Sequence, residues 1–191
     1  MPVDKKRCAY VNLKNPLYVQ YHDEEWGVPE HSDGKLFELL ILEGFQAGLS
    51  WECVLNKREH FRRVYDNFDV ERVSSYGEEK VLKLLADPGI IRNALKIRAS
   101  ITNARIFRKI QEEYGSFDAY IWSYTRGEAL REDYALRTTS PLSDAISKDL
   151  KKRGMKFVGS TIIYSYLQAI GVINGHGKEC EWGKGGIGET K

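Results

Sequence analysis

Apolar positions recur at helical spacing along almost the whole chain. "HSDGKLFELLILEGF" opens with a capping candidate at Ser32 or Asp33 and then runs apolar, which predicts a buried helix. "WECVLNKREHFRRVYDNF" predicts a second, amphipathic helix, with Val54, Phe61 and Val64 set against a basic face of Lys57, Arg58, Arg62 and Arg63. "DVERVSSYGEEKVLKLLAD" predicts two short helical pieces. "NALKIRASITNARIFRKIQEEYG" predicts a long helix ended by Gly115 as a left-handed cap. "SFDAYIWSYTRG" predicts a short one. The stretch from Glu128 to Thr139 is polar and aperiodic, as a loop would be. "SPLSDAISKDLKKRG" places Pro141 at a first helical position and Gly154 just past the end. "GSTIIYSYLQAIGVINGHG" predicts the last helix. Alternating runs are few and no internal repeat is present, so the expected fold class is all-α.

One position breaks the pattern. Glu43 follows Leu39, Leu40, Ile41 and Leu42 and stacks over Leu39 and Leu40, on or beside the apolar stripe. A buried carboxylate is costly unless paired or hydrogen-bonded. Two readings fit. Either Gly44 ends the helix and Glu43 escapes to solvent in its last turn, or the acid is buried for a reason.

Length and composition narrow the class. A chain of 191 residues suits one domain, expected over residues 1–180, followed by a Gly-rich tail, 181–191, expected to fray. A net charge of +2 selects no partner by itself, so the placement of basic residues matters more than their sum. No apolar run is long enough to span a bilayer, and "MPVDKKRCAY" has no apolar signal core. The expectation is a cytoplasmic protein, nucleoid-associated if it binds DNA. Three cysteines, Cys8, Cys53 and Cys180, do not make a disulfide framework. Cys53 reads as a small core residue.

Two constellations carry chemistry. In "KDLKKRGMKFVGSTIIYSYLQAIG", a basic helix ends at Gly154, a short hairpin follows, and a new helix opens at Ser160. Backbone N–H groups around Gly159, Ser160 and Thr161, at the positive end of a helix dipole, form a phosphate site, with Lys151, Lys152 and Lys156 nearby. An ordinary helical corner with solvated lysines gives the same pattern. The second constellation is Cys8 and His22 near the start with His176 and Cys180 near the end. Two Cys and two His make a closed zinc set, which would clip the ends of the chain together. The spacing is not that of a standard zinc finger, and free thiols fit as well. Tyr10, Tyr18, Tyr21, Trp26 and Trp51 flank Glu43 in sequence. They read as core, or as stacking surfaces of a pocket for a flat, possibly cationic base.

Taken in order, "RCAYVNLKNPLYVQYHDEEWGVP", "LFELLILEGFQAGLSW", "GIIRNALKI" and "LKKRGMKFVGSTIIYSYLQAIGVINGH…C" resemble the type I 3-methyladenine DNA glycosylases of the helix-hairpin-helix superfamily, over about residues 7 to 180. The resemblance implies a two-lobed all-α fold with a base pocket between the lobes. It implies that Cys8, His22, His176 and Cys180 hold one structural Zn²⁺. It implies that Glu43 is the pocket carboxylate, and that Tyr21 and Trp51 hold the flipped base with Tyr10 and Tyr18 beside them. It makes "KFVGST" (Lys156, Val158, Gly159, Ser160, Thr161) the DNA anchor, and Gly48 and Leu49 a loop that approaches the gap left by flipping. The implied activity is hydrolytic removal of N3-methyladenine from alkylated duplex DNA in base-excision repair, by a monomer, with free 3-methyladenine as product. Glu43 is expected to act as an ionised acceptor.

Three positions depart from the wider pattern. Tyr10 stands where the family usually has Trp. Asn174 stands where the superfamily has a catalytic Asp. Thr161 stands where bifunctional relatives carry a lysine, so neither a Schiff-base nucleophile nor strand cleavage is expected. A non-catalytic lesion-binding module and a glycosylase acting on 3-methylguanine are the competing readings. A zinc deaminase is excluded by the missing H-x-E and P-C-x-x-C signatures.

Overall fold

The computed structural model describes residues 5–133, 135 and 137–183, and its regular structure is almost all helix. The elements are α1 (Pro16–Glu24), α2 (Asp33–Gln46), α3 (Trp51–Leu55), α4 (Arg58–Val64), α5 (Val70–Ser74), α6 (Glu78–Ala86), α7 (Ala94–Tyr114), α8 (Phe117–Ser123), β1 (Leu130–Arg131), α9 (Pro141–Lys152), α10 (Ser160–Ala169) and β2 (Ile173–Asn174). No helix among the described residues is long and apolar enough to cross a membrane.

The central element is α2. Every residue from Leu36 to Phe45 is buried, as expected of a helix that is apolar all round. It packs against α3, α7, α8 and α10. Ser32 is its N-cap by position but makes no side-chain cap bond. Asp33 instead turns outward, and its carboxylate accepts from the backbone N–H groups of Phe117 and Asp118 at the start of α8. A capping residue of one helix thus serves another. The C-terminal end of α2 is closed by Lys96 of α7, whose buried ammonium donates to the carbonyls of Phe45 (2.9 Å) and Ala47 (2.6 Å).

Several sequence signals are met. Pro141 is at the first position of α9, behind a capping box formed by Ser140 and Ser143. Gly115 closes α7 with φ +85° and Gly154 follows α9 with φ +102°. "DVERVSSYGEEKVLKLLAD" forms α5 and α6.

Four expectations are corrected. The predicted helix over "WECVLNKREHFRRVYDNF" is broken into α3 and α4, and then a tight turn in which Asp66, Asn67 and Phe68 all have positive φ. The break lets Arg58 turn inward to Glu38 (2.7 Å) and Glu25 (2.8 Å), and the left-handed turn returns Phe68 to the core. Arg58 and Arg62 are therefore held in ion pairs with acids of the fold and do not form an open basic face. The last helix stops at Ala169, because the chain after α1 crosses its end. A Cβ on Gly171 would lie 2.2 Å from the Val28 backbone. The loop from Glu128 carries β1, which pairs in parallel with β2 beyond α10. Of the expected tail, Glu181–Gly183 form a short 3₁₀ turn. Glu181 N–H donates to the Lys6 carbonyl (2.9 Å), and the Trp182 ring packs against His22. The rest of the predicted tail, 184–191, lies outside the described residues.

Candidate active site

The site begins with two carboxylates on one helix. Glu38 and Glu43 both belong to α2 and both are buried. Glu38 accepts from the guanidinium groups of Arg58 (2.7 Å) and Arg62 (2.8 Å). Glu43 has no ion pair or side-chain hydrogen bond among the described residues, and burial alone pushes its carboxyl up to about 8. Helix α2 runs on past Gly44 to Gln46, so the escape to solvent is ruled out. In the ligand-free protein Glu43 is therefore mostly the neutral acid near pH 7. The expectation of an ionised group applies only once a cation stands beside it.

Glu43 faces a cavity of about 240 Å³ that is walled by Tyr10, Tyr18, Tyr21, Trp26 and Trp51. This lies below the ~300–1,000 Å³ of drug-sized sites and suits one flat heterocycle. The Tyr21 and Trp51 rings lie 5.1 Å apart at 45°. Tyr10 meets Trp26 edge-on at 5.2 Å. Burial, and then the Glu43 charge, raise the Tyr21 hydroxyl well above its usual range, so it remains a proton donor. The opposite wall is a stripe of α10. Thr161, Tyr164, Ser165 and Gln168, at i, i+3, i+4 and i+7, all line the cavity. Gln46, Arg137 and Thr138 complete it.

The hairpin between α9 and α10 is held by buried side chains. Asn103 of α7 grips Lys156 twice, donating to its carbonyl (2.8 Å) and accepting from its N–H (2.8 Å). Ser147 donates to the Val158 carbonyl (2.7 Å). Between them Phe157 has φ +54°, a strained value for an aromatic residue, and its Cβ rests over Gly44, next to Glu43. The Val158 side chain is in the core, while Lys151, Lys152 and Lys156 are exposed. The Ser160 hydroxyl is taken by Asp144 (2.5 Å).

Behind the cavity, Cys8, His22, His176 and Cys180 converge. Their ligand atoms all lie within 4.8 Å of one another, and all four residues are buried. Sγ of Cys180 is 3.6 Å from Nε2 of His22 and 3.4 Å from Nδ1 of His176, and Sγ of Cys8 is 3.8 Å from Nδ1 of His176. A tetrahedron with ordinary Zn–S and Zn–N bonds has S···N edges of about 3.6 Å, so the set fits one zinc ion. The outer nitrogens are oriented as such ligands are. Nδ1 of His22 meets Asp23 (2.8 Å), which Arg7 holds in turn (2.6 Å), and Nε2 of His176 meets the Trp26 carbonyl (3.0 Å). Burial lowers both imidazoles, His176 to about 4, and raises the Cys8 thiol to about 12. The imidazoles are thus neutral donors, while the Cys8 thiol needs a cation to ionise.

In sequence and fold the chain is similar to known proteins. A model of the methyladenine glycosylase family matches residues 11–183. The chain belongs to the methyladenine glycosylase family. It is 46% identical over 182 residues to DNA-3-methyladenine glycosylase 1 of Escherichia coli (strain K12), covering 92% of this chain and 95% of that protein. A crystal structure of 3-methyladenine DNA glycosylase I superposes with a TM-score of 0.88 at 46% identity, over 92% of this chain and 98% of the other. A variant of 3-methyladenine DNA glycosylase I in complex with 3-methyladenine superposes with a TM-score of 0.88 at 34% identity, over 92% and 96%. The glycosylases named here are hydrolases of N-glycosidic bonds.

Of the residues expected from sequence, Glu43, Tyr10, Tyr18, Tyr21, Trp51 and Thr161 meet in one cavity of this family member. Gly48 (φ +77°, with open space where a Cβ would be) and Leu49 (exposed) sit outside it, on a loop pinned by Lys96 and by Gln46, which donates to the Leu49 carbonyl. Lys156, Val158, Gly159 and Ser160 belong to the hairpin and do not line the cavity. Asn174 lies outside it as well, and its side chain accepts from the His176 N–H. The α10 residues Tyr164, Ser165 and Gln168 were missed, though polar positions at helical spacing on an otherwise apolar helix mark them.

The unpaired acid has a measurable signature. Its carboxyl is raised in the folded chain, to about 8, above the 4.5 of an exposed glutamate. The folded state thus holds a proton that the unfolded chain loses between those values, and stability falls as pH rises through that window. Replacing Glu43 with Gln removes this loss. In thermal melts, Glu43→Gln should match wild type near pH 4.5 and gain on it with rising pH, by on the order of 1.4 kcal/mol per unit at most, levelling off above about pH 8. A Tm difference that did not change with pH would contradict the assignment.

Proposed function

We propose that this protein flips N3-methyladenine out of alkylated duplex DNA and hydrolyses its N-glycosidic bond in base-excision repair, without cutting the strand. The observation that carries this reading is the unpaired, buried Glu43 in an aromatic cavity sized for one base. N3-methyladenine in DNA is a cation that departs as a neutral base, so little acid catalysis is needed. The Trp51 and Tyr21 rings attract the cationic ring by roughly 0.5–2 kcal/mol, and the cation draws Glu43 into its ionised form, ready to accept from the exocyclic amine. As the glycosidic bond breaks, its electrons go to the base, and water adds to the sugar carbon and gives up its proton. Among the described residues no lysine lines the cavity, which supports simple hydrolysis over Schiff-base chemistry. Wild type should release 3-methyladenine from methylated duplex DNA, and Glu43→Ala should lose on the order of 10²-fold in rate. Chromatography of the released bases checks this. No release from folded wild type would favour a lesion-binding module, and release of 3-methylguanine would widen the substrate range.

The hairpin is the proposed phosphate anchor. The backbone N–H groups near Gly159 and Thr161 open α10, and the exposed lysines add charge. Asn103 does not line the cavity, and its side-chain hydrogen bonds among the described residues go to Lys156. Asn103→Ala should weaken binding of duplex DNA about tenfold or more, the worth of two hydrogen bonds, and leave binding of free 3-methyladenine unchanged. Equal loss of both would mean general damage to the fold.

The four converging Cys and His side chains are proposed to hold a structural Zn²⁺, which clips the N-terminal segment to the chain beyond β2. Four protein ligands leave no open position, so this site would supply stability and not an activated water. Metal analysis should find one zinc per chain. A strong chelator should lower the Tm, with activity falling only as the fold is lost. Loss of catalysis from a still-folded, metal-free protein would refute a purely structural role.

A further inference from the structure

One motif of the sequence has no part in the function above. In "GIIRNALKI", residues 89–97, Asn93 caps α7, its side chain accepting the Lys96 N–H (3.1 Å). Lys96 therefore leaves from a fixed first turn, and it is only 8% exposed. Among the described residues no acid pairs with it, and burial pulls its ammonium below the usual lysine range. A buried cation without an acid is costly. What it meets instead is the end of α2. A helix leaves its last carbonyls unpaired, and Lys96 donates to that of Phe45 (2.9 Å) and to that of the cap residue Ala47 (2.6 Å). The chain then makes a type II turn from Gln46 to Leu49. Ala47 has φ −48° and ψ 117°, Gly48 has φ +77°, and the Leu49 N–H donates to the Gln46 carbonyl (2.7 Å). The Gln46 carboxamide, which also lines the cavity, closes the turn a second time on the Leu49 carbonyl (2.9 Å). Leu49 itself is 40% exposed. An apolar side chain held in water on a braced turn, beside a cavity for one base, has the form of a wedge that enters a base stack.

We infer that Lys96 is a positioning residue for base flipping, which fixes the Ala47 carbonyl and so holds the turn where Leu49 fills the gap in the duplex. The inference rests on the proposed glycosylase function and deepens it. The layout of α7 supports it. Lys96 and Asn103 stand seven residues apart on one face of that helix, about 10 Å by helical rise. Both border the same crevice, together with Gly44 and Phe157. Lys96 holds the Leu49 turn, and Asn103 holds the hairpin at Lys156. One rigid helix thus sets the distance between the wedge and the proposed phosphate anchor.

The test separates flipping from chemistry. A strand with a single adenine is methylated and annealed to complements that carry either thymine or a tetrahydrofuran spacer opposite it. The spacer leaves no pair to break and a gap already open, so flipping costs less there. Lys96→Met keeps the bulk of the side chain but neither its charge nor its donors. On the thymine duplex its kcat/KM for release of 3-methyladenine should fall on the order of tenfold, the worth of one charge-assisted hydrogen bond. On the spacer duplex it should change little. Leu49→Ala should show the same split, and the double variant should lose no more than the worse single change. Lys96→Arg, which keeps the charge and donors, should recover part of the loss. A merely structural role would lower release from both duplexes alike. That result, or losses that simply add, would overturn the inference while leaving the glycosylase reading intact. Wild type that releases no base from either duplex would remove both. If Lys96→Met fails to fold, Lys96→Gln takes its place under the same criteria. Leu49→Ala also decides by itself, because equal loss on the two duplexes would remove the wedge that Lys96 holds.

Discussion

Everything about the site turns on keeping one carboxylate out of water with nothing to pair it. Glu43 is placed on α2, a helix that is apolar all round and covered by its neighbours, so no relaxation exposes the acid. The same helix shows what the fold does with a carboxylate it means to neutralise. Glu38 receives two arginines, and the chain breaks a helix at Asn56 and Lys57 to bring Arg58 to it. Among the described residues nothing similar reaches Glu43. A buried acid left this way destabilises the protein once it must ionise, and persists only where function holds it.

The rest of the architecture can be read as support for that one position. Lys96 closes the end of α2 and so sets where the loop of Gly48 and Leu49 leaves. Phe157 presses on Gly44 from the hairpin, so the proposed DNA anchor and the helix of the acid are in direct contact. Trp26 joins the third part. One side of its ring lines the cavity, its carbonyl meets His176, and its ring packs on His176 at 4.7 Å. The Cys/His cluster is therefore the backing of the aromatic wall, and a change in the cluster reaches the cavity through Trp26 and through Tyr10, whose ring meets His22 edge-on at 6.0 Å.

Much of this was legible in the sequence, and what was not has physical causes. Helix periods, Pro141, Gly115 and Gly154 located most elements because they are local signals. The break between α3 and α4 was hidden because its cause, the pull of Glu25 and Glu38 on Arg58, is tertiary. The end of α10 was hidden for the same reason, since the backbone that blocks Gly171 lies far away in sequence. The cavity residues before Trp51 stood out because a carboxylate in an apolar run and a cluster of aromatics are unusual. Tyr164, Ser165 and Gln168 did not, because polar residues on a helix read as solvent-facing until a partner wall is in view. Val158 entered the expected anchor with the rest of the hairpin motif, yet its side chain is core, because a motif marks a backbone path and not which side chains face out.

Burial also gives the proposed base pocket a way to prefer a cationic base although Glu43 itself is uncharged before the base arrives. Empty, the cavity holds a neutral acid, because ionising Glu43 there costs more than in water. A neutral purine entering it would give that acid no reason to ionise. A cationic purine would, and each of the two charges then removes the penalty that the other bears alone. Selection on this account lies in the coupling between two groups, neither of which is stable as an isolated ion in the cavity. The aromatic wall serves the same end, since its rings displace water and keep the local dielectric low enough for that coupling to be strong. A permanently paired carboxylate such as Glu38 would not do this, because its charge is already balanced before any base arrives.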